Sequence, residues 1–252
     1  LTSANRLSKK ILITGASSGI GRALAYELAG RGYALALTAR RLDVLEEIRE
    51  DLKTRHPSAT VVVHPLDVVA YDTVPGVIAA CAEDLGGLDI LFANAGIGLG
   101  EKVGKGRFSE ARITIETNLL GAMATVDTAV QYFLEKGQGH IVGTASVAAF
   151  RGLPRSSSYS ASKAGLSLYL ESLRAEVYRK NIHVTVLNPG YIDTPLNDML
   201  KSRPFLVSAG KGAAMIAGMI ERKVKSSTVP VWPWCILGSI LKRLPTSVIA
   251  RF

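Results

Sequence analysis

The sequence predicts one α/β domain built on a doubly wound parallel sheet with helices on both faces. Three observations predict it. Short apolar segments alternate with longer amphipathic ones along the chain, and βα alternation builds parallel sheets. Several of the short segments are almost wholly apolar, as a sheet covered on both faces requires. A glycine-rich turn joins the first strand to the first helix.

The elements follow in order. KKILIT (9–14) reads as a strand, and SGIGRALAYELAGRG (18–32) as a helix ending at glycine. YALALTA (33–39) is the next strand, and RLDVLEEIREDLKTR (41–55) the next helix. Further strands are expected at ATVVVHPLD (59–67), LDILFAN (88–94), GHIVGTAS (139–146) and NIHVTVLNP (181–189). Helices are expected near 72–84, 109–136 and 159–180. No linker or low-complexity tract interrupts the series. Residues 1–252 therefore read as one domain, with 227–252 an apolar and basic C-terminal extension.

Composition narrows the function. Hydrophobic residues make up 48% and charged residues 20%, which is globular rather than disordered. The two cysteines, Cys81 and Cys235, lie far apart, and the four histidines are scattered. No metal-ligand spacing results, so no metal site is expected, and a reducing, cytoplasmic compartment is. The net charge of +9 attracts anionic cofactors, lipids or nucleic acid. The basic residues are dispersed without a nucleic-acid-binding signature, so no nucleic-acid partner is expected. The opening LTSANRLSKK is too short and polar for a signal peptide.

The turn after the first strand reads TGASSGIGRALA, with Gly15, Gly19 and Gly21. Its position puts unpaired backbone N–H groups at a helix N-terminus, which suits a dinucleotide pyrophosphate. Gly15 permits the tight turn; Gly19 and Gly21 allow close approach to ligand and sheet. At the end of the second strand stand Thr38, Ala39, Arg40 and Arg41. An acid there would bind the ribose 2′-hydroxyl of NAD, and an arginine suits the 2′-phosphate of NADP. NADP is therefore expected over NAD, with Arg40 as its main contact.

YSASK (159–163) places Tyr159 and Lys163 one helical turn apart. A cation there favours the ionised phenol and would bring its pKa toward the range useful for proton transfer.

With TGASSGIG, then Asn94-Ala95-Gly96, then Tyr159 and Lys163 in order, the chain resembles the short-chain dehydrogenase/reductase family. The resemblance covers about residues 9 to 195. It implies a Rossmann fold and an NAD(P)-dependent oxidoreductase that interconverts a carbonyl and a secondary alcohol. By the same resemblance Asp67, with Val68, meets the adenine, and Asn118 in TNLLGA is the active-site asparagine. Ser146 stands thirteen residues before Tyr159, the family's interval. PGYIDT, with Pro189, Gly190, Ile192 and Thr194, lies beside the nicotinamide. Ser17, Ser18 and Ile20 complete the loop around the cofactor. One departure is Ala93, where a second asparagine is common. The implied roles are Tyr159 as acid or base, Lys163 on its pKa and on the ribose, Ser146 on the oxyanion, and Asn118 on a water. A homodimer or homotetramer is implied, built on the helices near 109–136 and 159–180. Their small residues Gly121, Ala122, Ala124, Ala161, Ala164 and Gly165 permit close packing.

The substrate, a small carbonyl or alcohol, falls between loops 97–108, 147–158 and 191–205, with Phe150, Leu153 and Tyr191 as walls. Arg151, Arg155 and Lys201 face an acidic group or water. A non-catalytic nucleotide sensor on the same fold is the alternative, though it has no need of the full Asn118–Ser146–Tyr159–Lys163 set. The tail places Ile236, Leu237, Ile240, Leu241 and Leu244 on one helical stripe. Trp232 and Trp234 precede it, and Lys242 and Arg243 fall off it. That segment either packs on protein or lies on an anionic membrane surface; the second case makes a peripheral reductase of lipid-like carbonyls.

Overall fold

The computed structural model describes residues 8–198 and 202–251. Its first strand, β1 (Lys10–Thr14), buries Ile11, Leu12 and Ile13 completely. β2 (Ala34–Ala39) is buried at every residue. β3 (Val61–Pro65), β4 (Ile90–Ala93), β5 (Gly139–Thr144), β6 (Ile182–Pro189) and β7 (Ser226–Val229) complete a sheet of order β3-β2-β1-β4-β5-β6-β7, every pair parallel. Side chains alternate across a strand, so Leu12 enters one layer of core and Ile11 and Ile13 the other.

The helices divide accordingly. α1 (Gly19–Gly30), α2 (Leu42–Arg55) and α7 (Ala209–Glu221) cover one face, through Leu24, Leu28, Leu45, Ile48, Ile216 and Ile220. α3 (Val74–Asp84), α5 (Gly121–Lys136) and α6 (Ser157–Glu176) cover the other, through Ile78, Val126, Phe133, Leu166 and Leu170. α4 (Phe108–Ile115) leads into α5, and α8 (Trp234–Arg243) and α9 (Thr246–Ile249) close the chain. No helix among the described residues is long and apolar enough to cross a membrane.

Four expectations need correction. The sheet has seven strands rather than six, because β7 is short and carries two serines and a threonine instead of an apolar run. α7 is dense in glycine and alanine, which masks its period; Ser208 caps it, its Oγ accepting from Lys211 N at 3.4 Å. The single helix expected over 109–136 is interrupted by a π turn at Glu116–Leu120. In the tail, the expected stripe is turned: Trp234 and Gly238 are buried, Leu237 and Leu241 half-buried, and Ile236 and Ile240 exposed.

Candidate active site

The sheet reverses direction of growth between β1 and β4, and ligands of open α/β sheets bind beyond the strands' carboxyl ends at such a point. Gly15 lies there with φ +68°, and a methyl group on it would sit 2.8 Å from Ala95 Cα. One on Gly21 would sit 2.5 Å from the Gly15 carbonyl oxygen. The glycine loop, α1 and the end of β4 thus approach more closely than side chains permit. Asn94 locks the junction: its Nδ2 donates to Thr14 O at 3.0 Å. Thr14 Oγ1 accepts from Asn94 N at 3.0 Å and Ala95 N at 3.1 Å. Ser18, the N-cap of α1, makes no capping bond, and the first turn holds no acid. Backbone N–H groups at this helix end therefore lack a side-chain acceptor, and the helix dipole favours an anion. Thr194 faces the loop, 3.5 Å from where a Gly19 Cβ would stand. These residues fit a dinucleotide pyrophosphate.

Around the rim, Arg40 is exposed. Arg41, read from the sequence only as its neighbour, turns toward the loop and donates from Nη2 to Ser17 Oγ at 3.1 Å. Asp67 accepts from Val69 N at 3.2 Å, which shapes the turn after β3. Val68 is buried, and Gly121 packs directly against it. Ile20 and Gly190 are half-buried, while Ile192 is buried.

The residues expected to handle the proton converge at the ends of β4 and β5. Lys163 is buried on α6, and its Nζ donates to Thr144 O at 2.7 Å. Burial alone pulls its pKa down from 10.5 to about 8. Its Nζ lies 5.8 Å from the Tyr159 ring centre. Ser146, at the end of β5, is buried, and its Oγ accepts from Ala148 N at 3.1 Å. Asn118 is fully buried on the π turn, its Oδ1 accepting from Ile97 N and its Nδ2 donating to Ile97 O, both at 2.8 Å. A Cβ on Gly96 would stand 3.2 Å from Asn118 Oδ1 and 3.4 Å from Lys163 Nζ, so the lysine, the asparagine and the strand end meet at one point. The widened turn explains the broken helix: it presents Asn118 sideways to the β4 loop.

The expected lowering of the Tyr159 pKa is corrected. Burial pushes it above 10.0, and the Ser146 hydrogen bond opposes that rise. Burial disfavours the charged phenolate. Tyr159 therefore holds its phenolic proton more firmly than a free tyrosine does.

On the substrate side, Tyr191 and Phe205 pack on Trp234 with ring centres 5.9 and 6.0 Å away. A side chain on Gly190 would collide with the Trp234 indole, and one on Gly238 would lie 2.5 Å from the Phe150 ring. α8 therefore lies across Phe150, Gly190 and Tyr191, two of which were expected to wall the substrate. Arg151 is committed to this packing, donating from Nη2 to Leu244 O at 3.2 Å. Arg155 is exposed, and Lys201 lies outside the described residues. Sequence reasoning missed Glu101, which is buried in the loop after β4; its Oε1 accepts from Ser158 N at 2.7 Å, one residue before Tyr159. No local motif marks such a contact. Among the described residues no group of three or more His, Cys, Asp or Glu could hold a metal ion.

By class, the protein is an NAD(P)-dependent oxidoreductase acting on CH–OH or C=O groups. The chain belongs to the short-chain dehydrogenase family, whose profile matches residues 9–204. It is 41% identical over 245 residues to an uncharacterised oxidoreductase of Mycobacterium tuberculosis, covering 97% of both chains. It is 35% identical to an NADP-dependent 3-hydroxy acid dehydrogenase of Schizosaccharomyces pombe, over 74% of this chain and 72% of that one. Among solved structures it resembles an alcohol dehydrogenase of the archaeon Thermococcus sibiricus complexed with 5-hydroxy-NADP. That likeness has a TM-score of 0.79 at 29% identity, over 88% of this chain and 95% of that one.

Proposed function

We propose that the protein is an NADP(H)-dependent reductase of a small carbonyl compound, run in reverse as a secondary-alcohol dehydrogenase, with Tyr159 as its acid and base. The observation that carries this reading is the meeting of Tyr159, Lys163, Ser146 and Asn118 beside the glycine cradle. A bound nicotinamide dinucleotide supplies the hydride. The chain supplies position and a proton. Tyr159 gives its proton to the carbonyl oxygen as negative charge develops there, and takes one back in oxidation. Ser146 donates a hydrogen bond to the same oxygen. Lys163, charged below about pH 8, binds the ribose hydroxyls and stabilises the phenolate left behind. Asn118 holds the strand end against Lys163 and keeps the pair in register.

The preference for NADP(H) rests on Arg40, exposed beyond β2, with Arg41 held at the loop beside it. The NADP-dependent Schizosaccharomyces dehydrogenase and the Thermococcus enzyme complexed with 5-hydroxy-NADP agree with it. Assembly as a homodimer or homotetramer through α5 and α6 is part of the same proposal. Of the small residues expected at that face, Gly121 and Ala122 are buried within the subunit and Gly165 packs on Leu119. Ala124, Ala161 and Ala164 keep exposure, and Leu168 is 66% exposed beside them. A cytoplasmic location is proposed with it.

The test is a panel of aldehydes and ketones with NADPH or NADH, followed by loss of reduced-nicotinamide absorbance. Turnover that prefers NADPH supports the proposal. Binding of NADPH with no turnover on any carbonyl class would favour a sensor instead.

A further inference from the structure

We propose that the outward face of α8 is a docking surface for an anionic lipid surface. α8 has two faces. The inner one, through Trp234 and Gly238, is committed to Gly190, Tyr191 and Phe150. The outer one carries Trp232, Ile236 and Ile240 at four-residue spacing, 70%, 51% and 46% exposed. Ile236 and Ile240 share one side of α8, and Trp232 stands exposed in the turn that leads into the helix, so the three present an apolar edge to water. Of the protein's two tryptophans, Trp234 is withdrawn into the fold, and Trp232 remains outside.

Charge selects the occupant. From Arg222 to Phe252 the sequence contains no Asp or Glu. The three acids between Tyr191 and Glu221 are already paired: Asp193 and Asp198 with Arg203 at 3.1 and 3.8 Å, and Glu221 with Arg31 at 2.8 Å. Lys242, Arg243 and Arg251 are exposed and form no ion pair among the described residues. Lys242 leans over the Phe150 ring, its Nζ 5.2 Å from the ring centre, while Arg243 and Arg251 stay free, so the tail joins exposed apolar side chains to cations without an acidic partner, the pattern of an interfacial segment on anionic headgroups. A second copy meeting the same face would bring like charges together. The edge is also small for a protein partner. A helix of 10 residues is about 15 Å long, and a stable interface needs roughly 800 Å² on each side.

The other face of α8 packs on Phe150 and Tyr191, the expected substrate walls, so docking brings the cleft to the lipid and admits apolar carbonyls from it. That consequence rests on the proposed reductase activity; the docking does not, and its test needs no turnover.

The full chain carrying Trp234→Phe, with Trp232 its sole tryptophan, is mixed with vesicles of phosphatidylcholine containing phosphatidylserine, and with phosphatidylcholine alone. Expected are co-sedimentation and a blue-shifted, enhanced Trp232 emission with the anionic vesicles only, reversed by salt. Arg243→Gln with Arg251→Gln should weaken binding by about thirty-fold, at the usual contribution of each cation near an anionic surface. Ile236→Ser with Ile240→Ser should abolish the emission shift, while thermal unfolding and NADPH binding stay unchanged. No binding to anionic vesicles, or binding indifferent to both pairs of substitutions, overturns the proposal. So does a fall in oligomer size caused by the Ile236/Ile240 pair, which would assign the edge to a second copy.

Discussion

Lys163→Met should make the protein more stable and inactive. The lysine is 4% exposed, and burial pulls its pKa from 10.5 to about 8. That difference corresponds to about 3 kcal/mol held against the charged form at pH 7. Methionine fills similar space without charge. Losing the bond to Thr144 O offsets about 1 kcal/mol, leaving a net gain of about 2 kcal/mol. For a chain of this size that raises Tm by roughly 4–8 °C. The sign follows from proton counting. Between about pH 8 and 10.5 the unfolded chain holds a proton that the folded lysine has released, so wild-type stability rises with pH in that window. The penalty is full below about pH 8 and lost above it, reaching between about 1 and 2 kcal/mol at pH 9.5. Thermal unfolding of both proteins at pH 7 and 9.5, without cofactor, measures this. A variant less stable than wild type at pH 7, or a difference that does not shrink at pH 9.5, would refute the reasoning.

Three further outcomes are expected. Arg40→Asp should raise the Kd for NADPH by roughly tenfold to a hundredfold, the loss of a charge-assisted hydrogen bond, and leave NADH binding no weaker; titration with both cofactors checks it, and an unchanged NADPH affinity removes Arg40 from the site. Glu101→Ala strips the acceptor from Ser158 N beside Tyr159, so the first turn of α6 should loosen by about 1 kcal/mol and kcat should fall with the NADPH Kd held; Glu101→Gln, which keeps an acceptor, should restore most of it. Gly190→Ala drives a methyl group into the Trp234 indole, and should expose that tryptophan to collisional quenchers that do not reach it in wild type.

The fold was legible because several of its strands are almost wholly apolar and its glycine turn falls between β1 and α1. Those signals are local and depend on residue type. What escaped the sequence was either weak in period or long in range. α7 hides its apolar face among alanines and glycines. β7 owes its place to pairing with β6 rather than to its own residues. The convergence of Tyr159, Lys163, Ser146 and Asn118 was expected from a resemblance, whereas Glu101 and Trp234 join the site from 57 and 44 positions away from their partners Ser158 and Gly190. Such contacts leave no local pattern. The Tyr159 pKa was misjudged because the sequence displays the neighbouring cation and not the burial that raises it.

Tyr159→Phe tests the central claim most directly. NADPH Kd and single-turnover reduction of an accepted carbonyl are measured side by side for wild type and variant. The account predicts an NADPH Kd within about twofold of wild type and a reduction rate lowered by at least ~10²-fold, the usual contribution of a positioned acid. Wild-type turnover in the variant would contradict it.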